Sequence, residues 1–433
     1  MLVLLGWLLA SCSPGHLGGN EIAFVRDGHL WTIDPDGANA FEIENEATPV
    51  EGYAWSPSHE IFVYRTLDPQ FATTPAGKRL RSDPVTGLAG DAPGALNTIG
   101  IDGGSAIPIQ FSNPGLAYSN AWWNTNSTFL LYREASLAST PTPATVQWWV
   151  SQSDQPGGIA RKALPNSLAI PSIAPNSSLA IGDALSGVFT TKLDGSSLRY
   201  LIRPGPPGHP LPAALERFLW QPAHSNPAIL YAAQSASHAS IPPTIQLVVR
   251  ETGGQTQVVA TCGCNQFAWS PDGNSILYSV GATFTMLNIA RHTTFSVTAE
   301  GDSVPYWSPD SHFLLLDGQH TVQLINAQNG QQQVLLSDGS SLAGAESAPG
   351  SLTSINALLQ PIANSLWAAD SLHFVFVTRG RLQWQGTRLG QQGLYAATID
   401  AQGHVQGAPT LVDAGNNSQP GWSFEDANTS FLY

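Results

Sequence analysis

Charge is scarce in this chain. Only 11% of its 433 residues are Asp, Glu, Lys or Arg, about half the proportion in an average soluble domain. What charge there is runs negative, with a formal net of −14. That argues against a nucleic-acid backbone as partner, because phosphate binding requires a basic surface. Stretches with helical periodicity are also missing. Many short apolar runs stand between Gly, Pro, Asn and Ser instead, which is the pattern of an all-β protein. Cysteine is rare, with three residues. Two of them form "TCGCN" (Cys262, Cys264). A zinc site needs about four ligands, and no His or Cys cluster supports one here. A disulfide, or two small buried residues leading into a strand, are the readings left open. The histidines are scattered without metal-like spacing, so no metal and no cofactor is expected.

The chain is rich in tight turns. "FAWSPDGNSILY" at 267–278 joins two apolar segments through Ser-Pro-Asp-Gly. Pro presets φ for the second position of a type I turn, and Gly is favoured at the fourth. The twelve residues read as strand, turn, antiparallel strand. The unit recurs as "YAWSPSHEIFVY" (53–64) and "PYWSPDSHFLLL" (305–316). Weaker copies begin at Trp123, Trp220, Trp367 and Trp422, and a degenerate one lies around Ala174. With Trp55, Trp269 and Trp307 these make eight anchors, roughly 40 to 70 residues apart, a period typical of propeller blades. A second feature interleaves with them: a strand ending in a polar turn, as in "LWTIDPDG" at Gly37 and "YAATIDAQG" at Gly403.

Each unit is then strand A with its Trp, a tight turn, strand B, a connection, strand C, a second tight turn, and strand D. Four antiparallel strands repeated in a ring make a β-propeller. The "WSPDG…ILY" unit resembles the WD-like repeat of TolB-type propellers, and the resemblance covers residues 20 to 433. The anchors count eight blades, with seven as the alternative because the Ala174 unit lacks its Trp. Such folds commonly close the ring by pairing their two ends, here the Trp422 strand with the first strand of the chain. "SFLY" at 430–433 competes for that place. The absence of a Gly-x-Ser-x-Gly elbow argues against the peptidase branch of such propellers. No sialidase-type Asp box and no quinoprotein Trp-docking repeat is present, so no catalytic residue is assigned.

"MLVLLGWLLASCSPG" opens the chain. It resembles a bacterial lipobox, in which small residues precede a Cys that is lipidated, here Cys12. The apolar run is too short to span a bilayer. No Lys or Arg precedes it, a departure from the usual signal. Residues 1–12 are read as the signal segment, 13–20 as a Gly/Pro-rich tether and 21–433 as one propeller domain. The expected location is the bacterial cell envelope, outside the cytoplasm, with membrane contact only through the lipid.

Antiparallel alternation puts A–B and C–D turns on one face of the disc, and B–C and D–A connections on the other. The long insertions, at 66–95, 134–144, 234–243, 378–392, 204–216 and 337–361, all belong to the second face. These and their flanks hold Arg65, Lys78, Arg79, Arg81, Arg133, Arg203, Arg217, Arg379, Arg381 and Arg388. Long loops on a rigid scaffold commonly carry binding. Lys78, Arg79, Arg81, Arg379, Arg381, Arg388 and Trp384 are the candidate contacts for a protein, peptide or glycan held by a monomeric, non-catalytic propeller. The alternative is a carbohydrate hydrolase or lyase using carboxylates in the central channel.

Overall fold

The computed structural model describes residues 20–423, except for 45–47, 83–91, 138–145, 156–161, 165–170, 203–217, 235–244, 339–364, 379–381 and shorter stretches of one to three residues. Its described residues form antiparallel sheets arranged as a propeller. Seven sheets have four or more strands and are full blades, the smaller of the two counts expected. A further sheet, the eighth, has three strands (His373–Thr378, Gly393–Thr398, Thr410–Ala414). Its innermost strand is reduced to the bridge between Trp367 and Phe374. The Trp anchor survives there while the ladder beside it does not, so counting anchors gives eight and counting full blades gives seven.

Blade seven shows how sequence becomes blade. Val304–Trp307, Phe313–Asp317, Thr321–Asn326 and Gln332–Ser337 pair in that order, strand A to strand D. Ser308, Pro309 and Asp310 form the A–B turn. The Ser308 hydroxyl donates to Asp310 Oδ1 (2.7 Å) and accepts from Phe313 N–H (2.8 Å). Asp310 Oδ1 also accepts from His312 N–H (2.9 Å). The turn is thus stapled by its own side chains, the Asx chemistry that favours Ser and Asp there. The Ser270–Asp272 turn repeats the pattern. The residue four beyond the Trp takes a positive φ in these turns, +68° at Gly273, +62° at Ser311, +59° at Ser371 and +58° at His59. Only the first is the expected glycine. Ser and His accept this conformation at a modest cost.

The tryptophans sit at matching places. Trp55, Trp123, Trp269, Trp307 and Trp367 each end strand A opposite the residue seven further on, and Trp220 opposite the one nine further on. Most of their indole N–H groups form rungs between sheets. Trp55 donates to Gly421 O, Trp123 to Ala54 O, Trp220 to Ser172 O, Trp269 to Leu219 O and Trp367 to Tyr306 O, at 3.1–3.3 Å. In each case the acceptor directly precedes the anchor position of the preceding sheet. By the same offset the fourth blade's anchor is Ile173, one residue before the Ala174 expected from the sequence.

Buried clusters fill the space between successive sheets. Trp307, Leu314 and Leu316 pack on Leu277 and Phe284 of blade six, for example, while Tyr306, Phe313 and Leu315 pack on Trp367 and Phe374 of the eighth sheet. Closure follows the expected pairing: Ile22–Arg26 pairs with Asn417–Trp422, Ile22 opposite Trp422. "SFLY", Cys12 and residues 13–19 of the tether lie outside the described residues.

Candidate functional site: the long-loop face

Two described insertions rise from the B–C and D–A side. The first, in blade two, contains helices α1 (Pro69–Thr73) and α2 (Pro75–Ser82). Asp68 caps α1, its Oδ1 accepting from Gln70 and Phe71 N–H at 3.0 and 2.9 Å. Thr74 Oγ1 accepts from Gly77 N–H at the start of α2 (3.1 Å). Both helices begin with Pro in the first turn, where its missing N–H costs nothing. Asp68-Pro69 and Thr74-Pro75 are therefore helix start signals in a segment expected from sequence to be a plain loop. Lys78 stands exposed on α2. The side chains of Arg79 and Arg81 lie outside the described residues.

The second insertion leaves the eighth sheet and forms a small hairpin, Gln383–Trp384 with Thr387–Arg388, added to the outer strand of blade seven. Arg388 is exposed, while Arg379 and Arg381 lie outside the described residues. Trp384 is buried at 4% exposure, parallel to Phe376 with ring centroids 5.8 Å apart. It is a core residue beneath its own hairpin rather than an exposed anchor. Its indole N–H donates to Gly407 O (3.3 Å).

Arg65, counted from sequence among the loop-face cations, is also buried, at 2% exposure. It lies on strand B of blade two opposite Gly52. Burial lowers the pKa of its guanidinium, and the charge of Glu51 opposes that shift. Glu51 lies near the start of the innermost strand of the blade, and its backbone carbonyl accepts from Gln419 Nε2 (2.9 Å). Among the described residues it is the one charged side chain on an innermost strand.

A polar cluster joins blades six and seven on the same face. Glu300 Oε2 accepts from His320 N–H (2.8 Å) and Oε1 from Thr321 Oγ1 (2.7 Å), while His320 Nδ1 lies 2.8 Å from Asp338 Oδ2. Asp317, fully buried, has its pKa raised well above the ordinary carboxylate value, first by burial and then by the charge of Glu300. No sequence motif announces this group, since its first and last members lie 38 positions apart (338 − 300) and its members come from separate connections and strand ends. Among the described residues no set of three or more His, Cys, Asp or Glu side chains is placed to hold a metal ion. Cys262 and Cys264 are joined by a disulfide, with Cα atoms 5.1 Å apart.

The shift at Asp317 has a measurable sign. A carboxyl whose folded pKa is raised stabilises the fold fully below its unfolded value of about 3.8, and that contribution fades as pH climbs through the folded value. Asp317→Asn, neutral at every pH, should therefore gain thermal stability on the parent as pH rises from about 4 towards neutrality. Melting curves across that range test it, and a constant difference would contradict the assignment.

No protein-family model matches the chain, and no curated protein matches it. Solved structures do. A eukaryotic initiation factor is 11% identical, with 94% of this chain and 99% of that chain covered and a TM-score of 0.54. An oligogalacturonate lyase in complex with manganese is 11% identical over 71% of this chain and 81% of that one, TM-score 0.46. TolB from Acinetobacter baumannii is 12% identical over 65% and 64%, TM-score 0.34. The likeness is one of fold. No helix among the described residues is long and apolar enough to cross a membrane.

Proposed function

We propose that this chain is an exported, lipid-anchored, monomeric propeller that binds a protein, peptide or glycan on its long-loop face and catalyses no reaction. The observation that carries the reading is the difference between the two faces. On the turn face the A–B turns bond to one another across blade boundaries: Ser58 N–H to Ser127 Oγ, Asp272 N–H to Ser311 Oγ and Asp310 N–H to Ser371 Oγ, at 2.8–3.0 Å. These three donors are spent on the ring itself. The opposite face carries α1, α2 and the Arg388 hairpin, insertions that the ring does not need. Rotamer-rich side chains on a raised surface are what a partner can grip. A bonded Cys262–Cys264 pair suits an oxidising compartment.

The test joins two variants. Cys12→Ala should move the protein from the membrane fraction to the soluble one. Neutralising Lys78, Arg79 and Arg81 together should weaken capture of the partner from solubilised membranes, as should added salt, because exposed charges are screened beyond about 8 Å at physiological ionic strength. Cross-links placing the partner on the Ser-Pro-Asp-Gly turns would overturn the assignment of the face.

A further inference from the structure

The N-terminal clasp fixes where a tether must leave the disc. Strand B of the closing blade begins at Ile22, opposite Trp422, and Trp422 ends strand A. Ile22 is therefore at the end of the blade where the other blades make their A–B turns. Three bonds hold the chain there. Glu21 N–H donates to Ser423 Oγ (2.9 Å), Ser423 N–H donates to Glu21 O (2.8 Å), and Trp422 Nε1 donates to Asn20 Oδ1 (2.8 Å). Asn20 consequently stands on the turn face, one strand out from the innermost.

We infer that the turn face is the membrane-proximal face, and that the long-loop face is presented away from the lipid. This rests on the reading of Cys12 as the lipidated residue. Eight peptide steps separate Cys12 from Asn20 (20 − 12), and eight residues span at most about 28 Å fully extended. To turn the loop face to the membrane, the tether would have to round the rim. That means crossing about 10 Å to the outermost strand and then about 17 Å down a blade whose second and third strands have five residues each. The turns and loops to be cleared at both ends take the path beyond the reach of the tether. The turn face also does not settle onto anionic lipid. Asp36, Asp102, Asp194, Asp272, Asp310 and Asp370 are all exposed on it. Like charges repel within a Debye length of about 8 Å, so the disc stands off at the end of its tether with its insertions outward.

The experiment uses the full lipidated chain purified from membranes and reconstituted into vesicles of phosphatidylethanolamine and phosphatidylglycerol carrying acceptor-labelled headgroups. Gln328→Cys, exposed in the C–D turn of blade seven, and Lys78→Cys, exposed on α2, each take a donor fluorophore. Energy transfer to the lipid should be stronger from position 328 than from position 78. Inserting a long Gly-Ser stretch, about twenty residues and so roughly 25 Å in mean span, between Gly15 and His16 should abolish the difference. Equal or stronger transfer from position 78 in the parent would overturn the orientation alone. A difference that persists with the long tether would overturn the tether as its cause. A chain that fails to join the vesicles, or joins them equally as Cys12→Ala, would overturn the anchor reading and the orientation with it.

Discussion

Truncating Trp367 to alanine should cost about 3–5 kcal/mol of folding free energy, the range for large core aromatics. The residue is fully buried, lies between Phe313 and Phe374 at ring-centroid distances of 6.4 and 5.2 Å, and donates to Tyr306 O at 3.1 Å. It therefore contributes both packing and one of the rungs that tie neighbouring sheets. Those two parts can be separated with phenylalanine. Trp367→Phe keeps most of the buried area but removes the indole donor, and so one hydrogen bond between sheets, about 1 kcal/mol beyond the change in packing. Trp307 offers the control. It is comparably buried, at 2% exposure, yet its Nε1 has no hydrogen-bond partner among the described residues. Trp307→Phe removes an unsatisfied donor and should be clearly the milder change. Urea unfolding of the two variants decides it: if Trp307→Phe is as costly as Trp367→Phe, the rungs contribute nothing to stability.

That contrast marks what is legible in the sequence. The Ser-Pro-Asp-Gly unit is local, so its turn chemistry, its strand pairing and its Trp can be read from twelve residues. The offset from Trp to strand B holds through most of the weaker copies because pairing register enforces it. In blade four the sequence reading falls one residue late, on Ala174, because without the indole the strand end is no longer marked. Pro175, placed like Pro57, Pro271 and Pro309, is the surviving cue. The loop face is much less legible. Arg65 and Trp384 look like exposed cation and aromatic in sequence, and both are buried. Their burial depends on what packs over them: for Trp384, a hairpin that pairs with blade seven, whose outer strand lies 48 residues earlier (384 − 336). The contacts among Glu300, Asp317, His320 and Asp338 are likewise tertiary, and nothing periodic encodes them. Repeats reveal the scaffold because every copy restates it, whereas each insertion is written once.

A chain cut after Asn416, before the closing strand, should lose its cooperative fold. An open array of repeats survives the loss of a terminal strand because each unit contacts only its neighbours. A ring does not, because the last strand belongs to the first blade. Removing Asn417–Trp422 strips strand B of that blade, Ile22–Arg26, of its inner partner. Trp55 loses its acceptor at Gly421, and the Tyr53 hydroxyl loses the Gln419 carbonyl at 2.7 Å. Trp422 itself leaves the cluster containing Phe24, Val375 and Leu394. The Trp burial alone is worth about 3–5 kcal/mol, and the lost hydrogen bonds add about 1 kcal/mol each. Together they approach the whole stability of a typical domain, about 5–15 kcal/mol. The uncovered edge would also pair with other chains. The truncated protein should therefore elute as aggregate on size exclusion and lose its sharp melting transition, and a peptide of residues 415–423 supplied during refolding should restore part of both. A truncated chain that stays monomeric and melts near the parent would show that the ring is held by its inter-blade clusters and not by the terminal strand.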